Sequence, residues 1–325
     1  MKSIAALFTA TLLVSACTLD DLLTTSSDPN GALSFDEKIV LGLKTALEVG
    51  IDSSSGLASK VNGYLANKAI KILLPEEASQ ALAAAQQVGA YVQPFSDQLS
   101  SIKSVVDFTS GIDQNGFTNN LKTSASILTE ITQLQGLGDS LVKYMNRAAE
   151  LAAPRSVPIF KNVITNMSIA DGLSLLNNAD STAATSYLNG KTFAPLVVSY
   201  TPIVDSTLSL VPLAQYWGDF RSLYNSVLAK YKTAVAFQVS WNNNVVVSQV
   251  PSLQVDKLKA VDNQPIKTQS LGQWTTEKGL AGLFYLVGEQ EKDIRRDPFS
   301  YVKNLASSVS SILKEVFGDI MKMPK

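Results

Sequence analysis

Leu280, Leu283, Phe284 and Val287 recur at the i, i+3, i+4, i+7 interval that lays apolar side chains along one face of an α-helix. Helix signals of this kind return along nearly the whole chain, and helices with apolar stripes bury them by packing on one another. Ser34-Phe35-Asp36-Glu37 has the form of a capping box, in which Ser34 accepts from the third backbone amide and Glu37 reaches back. It opens a helix expected to run to about residue 60. Pro75-Glu76-Glu77 opens a second, with proline at the first helical position and acids at the positive end of the dipole. Further helices are expected from Pro94 to about 110 and from Asn119 to about 134, separated by a turn over 111–116. Asp139 is read as the cap of a helix that stops at Pro154, and Ser168-Ile169-Ala170-Asp171 as a second box. Asn189-Gly190 reads as a stop signal, followed by helices over about 192–210, 212–231, 271–295 and 298–321.

Residues 234–255 break the pattern. Val, Phe and Trp flank Asn242-Asn243-Asn244, which predicts a β-hairpin or an extended insertion, and Pro251 argues against a central strand. The expected fold is all-α: a single multi-helix, bundle-like domain over residues 34–325 with a small β-like or extended insertion.

The N-terminus has a different character. Lys2 precedes an apolar run over residues 4–14, then the small residues Ser15 and Ala16, then Cys17, the sole cysteine. A basic residue, a short apolar stretch and small residues at the cut make up a secretory signal, and the run is far short of the roughly 20 residues that span a bilayer. Val14-Ser15-Ala16-Cys17 resembles the bacterial lipobox, in which cleavage leaves the cysteine first and its sulfur acylated. Residues 1–16 are therefore expected to be a signal peptide. Cys17 is expected to be a lipid anchor, and 17–33 a flexible tether with a turn at Asp28-Pro29-Asn30-Gly31. Several acyl chains on one residue hold a protein on a membrane far better than one chain does. Thr18, where an aspartate would favour inner-membrane retention, points to the outer membrane facing the periplasm. The expected partners are the bilayer, through acylated Cys17, and an envelope protein or a second copy of the chain.

Composition excludes much. A net charge of −1 and no basic stripe beyond the pair Arg295-Arg296 argue against nucleic acid as a partner. The chain has no histidine, which rules out Ser-His-Asp and Cys-His nucleophile systems. Histidine-containing zinc sites go with it, and acylation of Cys17 would remove the remaining thiolate. No metal or cofactor is expected. Any catalyst would have to work with Asp, Glu, Lys, Ser, Thr, Tyr or Arg.

The run TEKGLAGLFYLVGEQEKDIRRDP (276–298) carries a resemblance, together with NRAAELAAP (146–154), PIF (158–160), ITNMSIADGLSLL (164–176), YW (216–217), GLKTALEVG (42–50) and LPEE (74–77). In that order these motifs resemble the bacterial family called domain of unknown function 4197, over roughly residues 40–295. The resemblance implies a helical, exported protein, often a lipoprotein, and it brings no catalytic or binding residues. Stretches near 96–136 and 233–270 fall outside it and are expected to be insertions.

The candidate site residues are Asn146, Arg147, Glu150, Lys278 and Glu289. The first three sit in an alanine-rich helix where little else is polar, and there a buried Arg–Glu set would fix helix register, or Arg147 could grip an anion. Lys278 and Glu289 belong to the charged face of the 276–294 helix. Glu289 and Glu291 could serve as a carboxylate pair, but residues two apart on a helix point about 200° apart, which favours salt bridges such as Glu289 with Lys292. Ser-x-x-Lys occurs at Ser100 and Lys103, Ser300 and Lys303, and Ser311 and Lys314, without the companion motifs of penicillin-recognising enzymes. Asp113-Gln114-Asn115-Gly116 lacks the ligands of a calcium loop and reads as a turn. Val302, Leu305, Val309, Ile312 and Val316, widened by Leu313 and Phe317, form an apolar stripe for the domain's own core or for a partner.

Three functions fit: a non-catalytic envelope lipoprotein that binds a partner or acts as a scaffold; a carrier or sensor of a small apolar ligand between helices, hinted at by Gly279, Gly282 and Gly288; and a hydrolase using carboxylates alone, among them Glu150, Asp171, Glu277 and Glu289. The anchor is the most directly testable element. Cys17→Ala is expected to abolish labelling by radioactive palmitate and to move the protein from the membrane pellet to the soluble fraction of expressing cells.

Overall fold

In the computed structural model, residues 34–210, 213–261, 266 and 271–296 are described. Ser34 opens the domain as its sequence requires: its Oγ accepts from the Glu37 amide at 3.3 Å, and the Glu37 carboxylate accepts from the Ser34 amide at 2.7 Å. Helix α1 (Phe35–Ser59) follows, and residues 60–75 form an irregular loop in which Asn62 takes φ 62°, a left-handed conformation that asparagine tolerates. Next come α2 (Glu76–Val106), α3 (Gln114–Ala152), a 3₁₀ turn (Ala153–Arg155), α4 (Ser156–Thr165) and α5 (Ile169–Leu176). The chain continues through α6 (Ala183–Leu210), α7 (Leu213–Asn242), the short α8 (Val245–Gln249), a second 3₁₀ turn (Pro251–Leu253) and α9 (Leu271–Arg296). All-α is the class of the fold, with no strand among the described residues.

Helix α3 is the spine. At 1.5 Å per residue its 39 residues span about 58 Å. It packs antiparallel to α7, with Phe117 beside Trp241 near one end and Tyr144 stacked on Tyr216 toward the other, and it also contacts α2, α1, α6 and α9. The small residues Ala148, Ala149, Ala152 and Ala153, all fully buried, let neighbouring elements approach the second half of α3. Gly279 of α9 rests so close that a β-carbon there would lie 3.2 Å from the Ala149 Cβ.

Several helices expected to be separate are continuous. Pro94 sits inside α2, Asp139 inside α3 and Asn189-Gly190 inside α6. In each, buried residues continue in helical register across the local break: Val92, Phe95 and Leu99; Leu134, Gly138 and Leu141; Leu188, Leu196 and Tyr200. Gly138 serves packing, since a β-carbon there would touch Leu74, Leu82 and Phe220 at 3.4–3.8 Å.

The expected hairpin over 234–255 is not formed. Ala234, Phe237, Gln238 and Trp241 lie on one face of α7, where Phe237 and Trp241 pack against Phe117 with ring centroids 6.4 and 5.0 Å away. Asn244 caps α8 by accepting from the amides of Val246 and Val247. Valine and tryptophan spaced along a helix face resemble a strand in composition alone. The extended part of the expectation fits better: residues 254–261 run without helix, and the Asn242 side chain exchanges hydrogen bonds with both backbone groups of Val255 at 2.7 and 3.1 Å.

The two stretches expected to be insertions meet at one end of the molecule. Gln98 exchanges hydrogen bonds with the Asp256 side chain (2.6 Å) and amide (2.9 Å), and Asn244 donates to the Gly111 carbonyl at 3.4 Å. Lys230 bridges to Ser126 and Glu130. The expected signal peptide, Cys17, the tether, the 298–321 helix and the serine–lysine pairs within it lie outside the described residues. No described helix is long and apolar enough to cross a membrane.

Glycine substitutions separate packing from propensity. Gly282→Ala places a β-carbon 2.9 Å from Tyr64 Cε1 and 3.0 Å from Ile70 Cβ, whereas at Gly136 nothing lies within 4 Å. Gly282→Ala is expected to destabilise by about 1–3 kcal/mol through overpacking. Gly136→Ala is expected to stabilise by up to about 1 kcal/mol, both read from the midpoint of urea unfolding.

Candidate functional site

The loop between α1 and α2 runs beneath α9, and its backbone needs partners. Asn146 supplies them: its Oδ1 accepts from the Ile72 amide at 2.9 Å, and its Nδ2 donates to the Ile72 carbonyl and the Val142 carbonyl, each at 2.7 Å. One turn on, the buried Glu150 accepts from the Tyr64 amide at 3.4 Å and from Arg147 at 3.1 Å. Tyr64, itself fully buried, donates its hydroxyl to the Gly279 carbonyl at 2.7 Å. Burial, followed by the proximity of Tyr200 and Glu150, holds the Tyr64 phenol well above the usual tyrosine range. The set Asn146, Arg147 and Glu150 is thus brought together around a loop, and Arg147, half-exposed, is already engaged by Glu150.

Lys278 and Glu289 stand elsewhere on α9. The Lys278 ammonium lies 4.6 Å from the centroid of the Trp274 ring, and Glu289 pairs with Lys292 at 2.8 Å. The other carboxylates considered for acid–base work have separate partners: Asp171 accepts from the Tyr187 hydroxyl at 3.4 Å and Glu277 from Gln273 at 2.9 Å. Ser100 donates to the Ser96 carbonyl while Lys103 pairs with Asp107, so these two groups do not act on each other. Asp113 accepts from the Gly116 amide at 2.8 Å, as the cap of α3.

Sequence reasoning missed the role of Glu291. This buried carboxylate accepts from the amides of Ala184 (2.9 Å) and Thr185 (2.7 Å) and from the Thr185 hydroxyl (2.8 Å), capping α6 from another helix. Arg295 donates two hydrogen bonds to it and a third to the Leu175 carbonyl at the end of α5. The signal was present: Leu280, Phe284, Val287 and Glu291 share the inward face of α9 by spacing, so this glutamate had to be buried and partnered.

Beside this framework lies a surface cleft of about 500 Å³ between residues 69–76 and α9. Leu73, Trp274, Ala281 and Tyr285 make its apolar wall, with Lys71 and Lys278 as cations at its edge. Leu73 is 60% exposed and Tyr285 47%, while Trp274 is fixed by donating its indole N–H to the Leu73 carbonyl at 3.0 Å. A second cleft, of about 620 Å³ between α3 and α7, is lined by Gln133, Ser140, Tyr216, Asp219 and Ser226.

The family model described as "Protein of unknown function (DUF4197)" matches residues 34–102 and 116–318. The chain belongs to this family. Within DUF4197, the matched segments include the loop, the cleft and the residues that hold them; the break spans only 103–115 of the first expected insertion, and the match runs unbroken through the second, 233–270, which therefore lies within the family domain. No curated protein and no solved structure matches the chain.

Asn146→Ala is expected to leave both backbone groups of Ile72 unpaired in the interior and to destabilise by about 2–4 kcal/mol. Chemical denaturation checks this, and hydrogen exchange should show the loss of protection first at the Ile72 amide.

Proposed function

We propose that this chain is a non-catalytic binding module, held at the envelope membrane by acylated Cys17, that presents the cleft between residues 69–76 and α9 to a protein partner. One observation carries the reading: a fixed indole, Trp274, lies between exposed apolar side chains, Leu73 and Tyr285, in a groove open to solvent. Exposed apolar surface rimmed by charge is the character of a protein contact. The strongest polar side chains support the same reading, because Asn146, Glu150 and Glu291 are saturated by backbone amides and neighbouring side chains. The apolar-ligand carrier is the second reading and would call for an enclosed chamber, whereas both described clefts open at the surface. The Cys17 anchor and an outer-membrane location, from the order of residues around the sole cysteine, complete the proposal.

A photo-crosslinking amino acid at Leu73 in living cells is expected to capture one discrete protein, and one at Val198, 74% exposed on α6, to capture none. Tyr285→Asp is expected to abolish the capture while changing stability by no more than about 0.5 kcal/mol. A lipid-sized adduct in native mass spectrometry of the Cys17→Ala protein, with no capture at Leu73, would overturn the reading in favour of the carrier.

A further inference from the structure

Residues 71–75 take neither helix nor turn, and the side chains at its start alternate: Lys71 and Leu73 are exposed and Ile72 is buried. Both backbone groups of Ile72 are bonded to Asn146. Successive residues of an extended chain point their N–H and C=O groups to opposite sides, so those of Leu73 and the carbonyl of Lys71 turn away from Asn146. The Leu73 carbonyl shows this direction, since it accepts from Trp274 at the cleft wall. The Leu73 amide and the Lys71 carbonyl have no hydrogen-bond partner among the described residues. They flank Ile72 and are the two groups that a strand laid alongside would use. We infer that the cleft takes an extended peptide segment of its partner, which pairs with the backbone of residues 71–73 and carries an acidic residue next to an apolar one.

Charge supports this occupant. Lys71 and Lys278 line the cleft, and neither has an ion pair among the described residues. Glu76, a carboxylate in the same lining, already accepts from Gln80 at 3.2 Å. The Lys278 ammonium is held over the Trp274 ring, so an acid that reaches it brings the adjoining part of the peptide onto the apolar wall of Trp274 and Tyr285. In strand addition the main-chain bonds give affinity, and the pockets for alternate side chains give specificity. Leu73 and Trp274 supply such a pocket on one side of the free backbone groups, and the two lysines supply its charged edge. The inference rests on the reading of the cleft as a protein-binding site and names what that site takes.

The test uses the full chain carrying Cys17→Ala to select from a phage library of random peptides, with Tyr285→Asp as the counter-selection. The selected peptides are expected to share an Asp or Glu beside a large apolar residue, and their affinity is expected to fall with Lys71→Glu and with rising salt. Leu73→Pro removes the free amide and is expected to bind them about tenfold more weakly than Leu73→Ala, which keeps it. N-methylation of the selected peptide, one amide at a time, tests the pairing without altering the protein, and one position is expected to cost about tenfold. Equal binding by the proline and alanine variants, with no position sensitive to N-methylation, would overturn the backbone pairing. If photo-capture at Leu73 still succeeds in that case, the partner reading stands and the cleft takes a folded surface. Selected peptides without an acidic residue would overturn the charge match. No peptide enriched over Tyr285→Asp, together with no capture at Leu73, would remove both the peptide and the partner reading.

Discussion

An irregular loop inside a protein is stable only if every buried backbone group finds a partner, and here that requirement falls on Asn146. Its carboxamide can both accept and donate, and it does both with Ile72. Glu150 and Tyr64 extend the arrangement to α9, so that α3, the loop and α9 form one hydrogen-bonded unit. The glycines of α9 follow from it. Gly279 admits Ala149, and Gly282 admits Tyr64 and Ile70, because a β-carbon there would enter space that α3 and the loop already fill. The cleft lies on the outer side of this unit, and Trp274 is tied to it through Leu73.

Glu291 solves the corresponding problem at the start of α6. A helix N-terminus has amides without intrahelical partners. Here a carboxylate from another helix accepts from two of them while Arg295 neutralises its charge. The interior polar residues Asn146, Glu150 and Glu291 therefore hold elements in register. That role accounts for buried ionisable groups such as Glu150 and Glu291, each bonded to backbone amide and arginine donors.

Legibility followed the distance over which each signal acts. The capping box at Ser34 placed the start of α1, and the apolar period of the 276–294 run, 271–295 by expectation, placed α9 at Leu271–Arg296. Stop signals fared worse. A cap or a glycine is worth about 1 kcal/mol and an interior proline about 3, whereas each buried Leu or Phe contributes about 1.5–3. Val92, Phe95 and Leu99 together outweigh Pro94, and Leu188, Leu196 and Tyr200 outweigh Asn189-Gly190. At Asn242-Asn243-Asn244, β-favouring composition concealed a helical face whose partner, Phe117, lies in a different helix.

By itself the sequence determined the all-α class, the helix starts at the Ser34 and Ser168 caps, and the face that α9 turns inward, since all three depend on residues within a few positions of one another. The tertiary structure alone decided which expected helices fuse and which polar residues meet. Asn146 finds Ile72 across 74 positions, Glu150 finds Tyr64 across 86, and Glu291 finds Ala184 across 107. No local preference reaches so far. Those pairings exist because burial brings the elements together and leaves each polar group only the partners within reach.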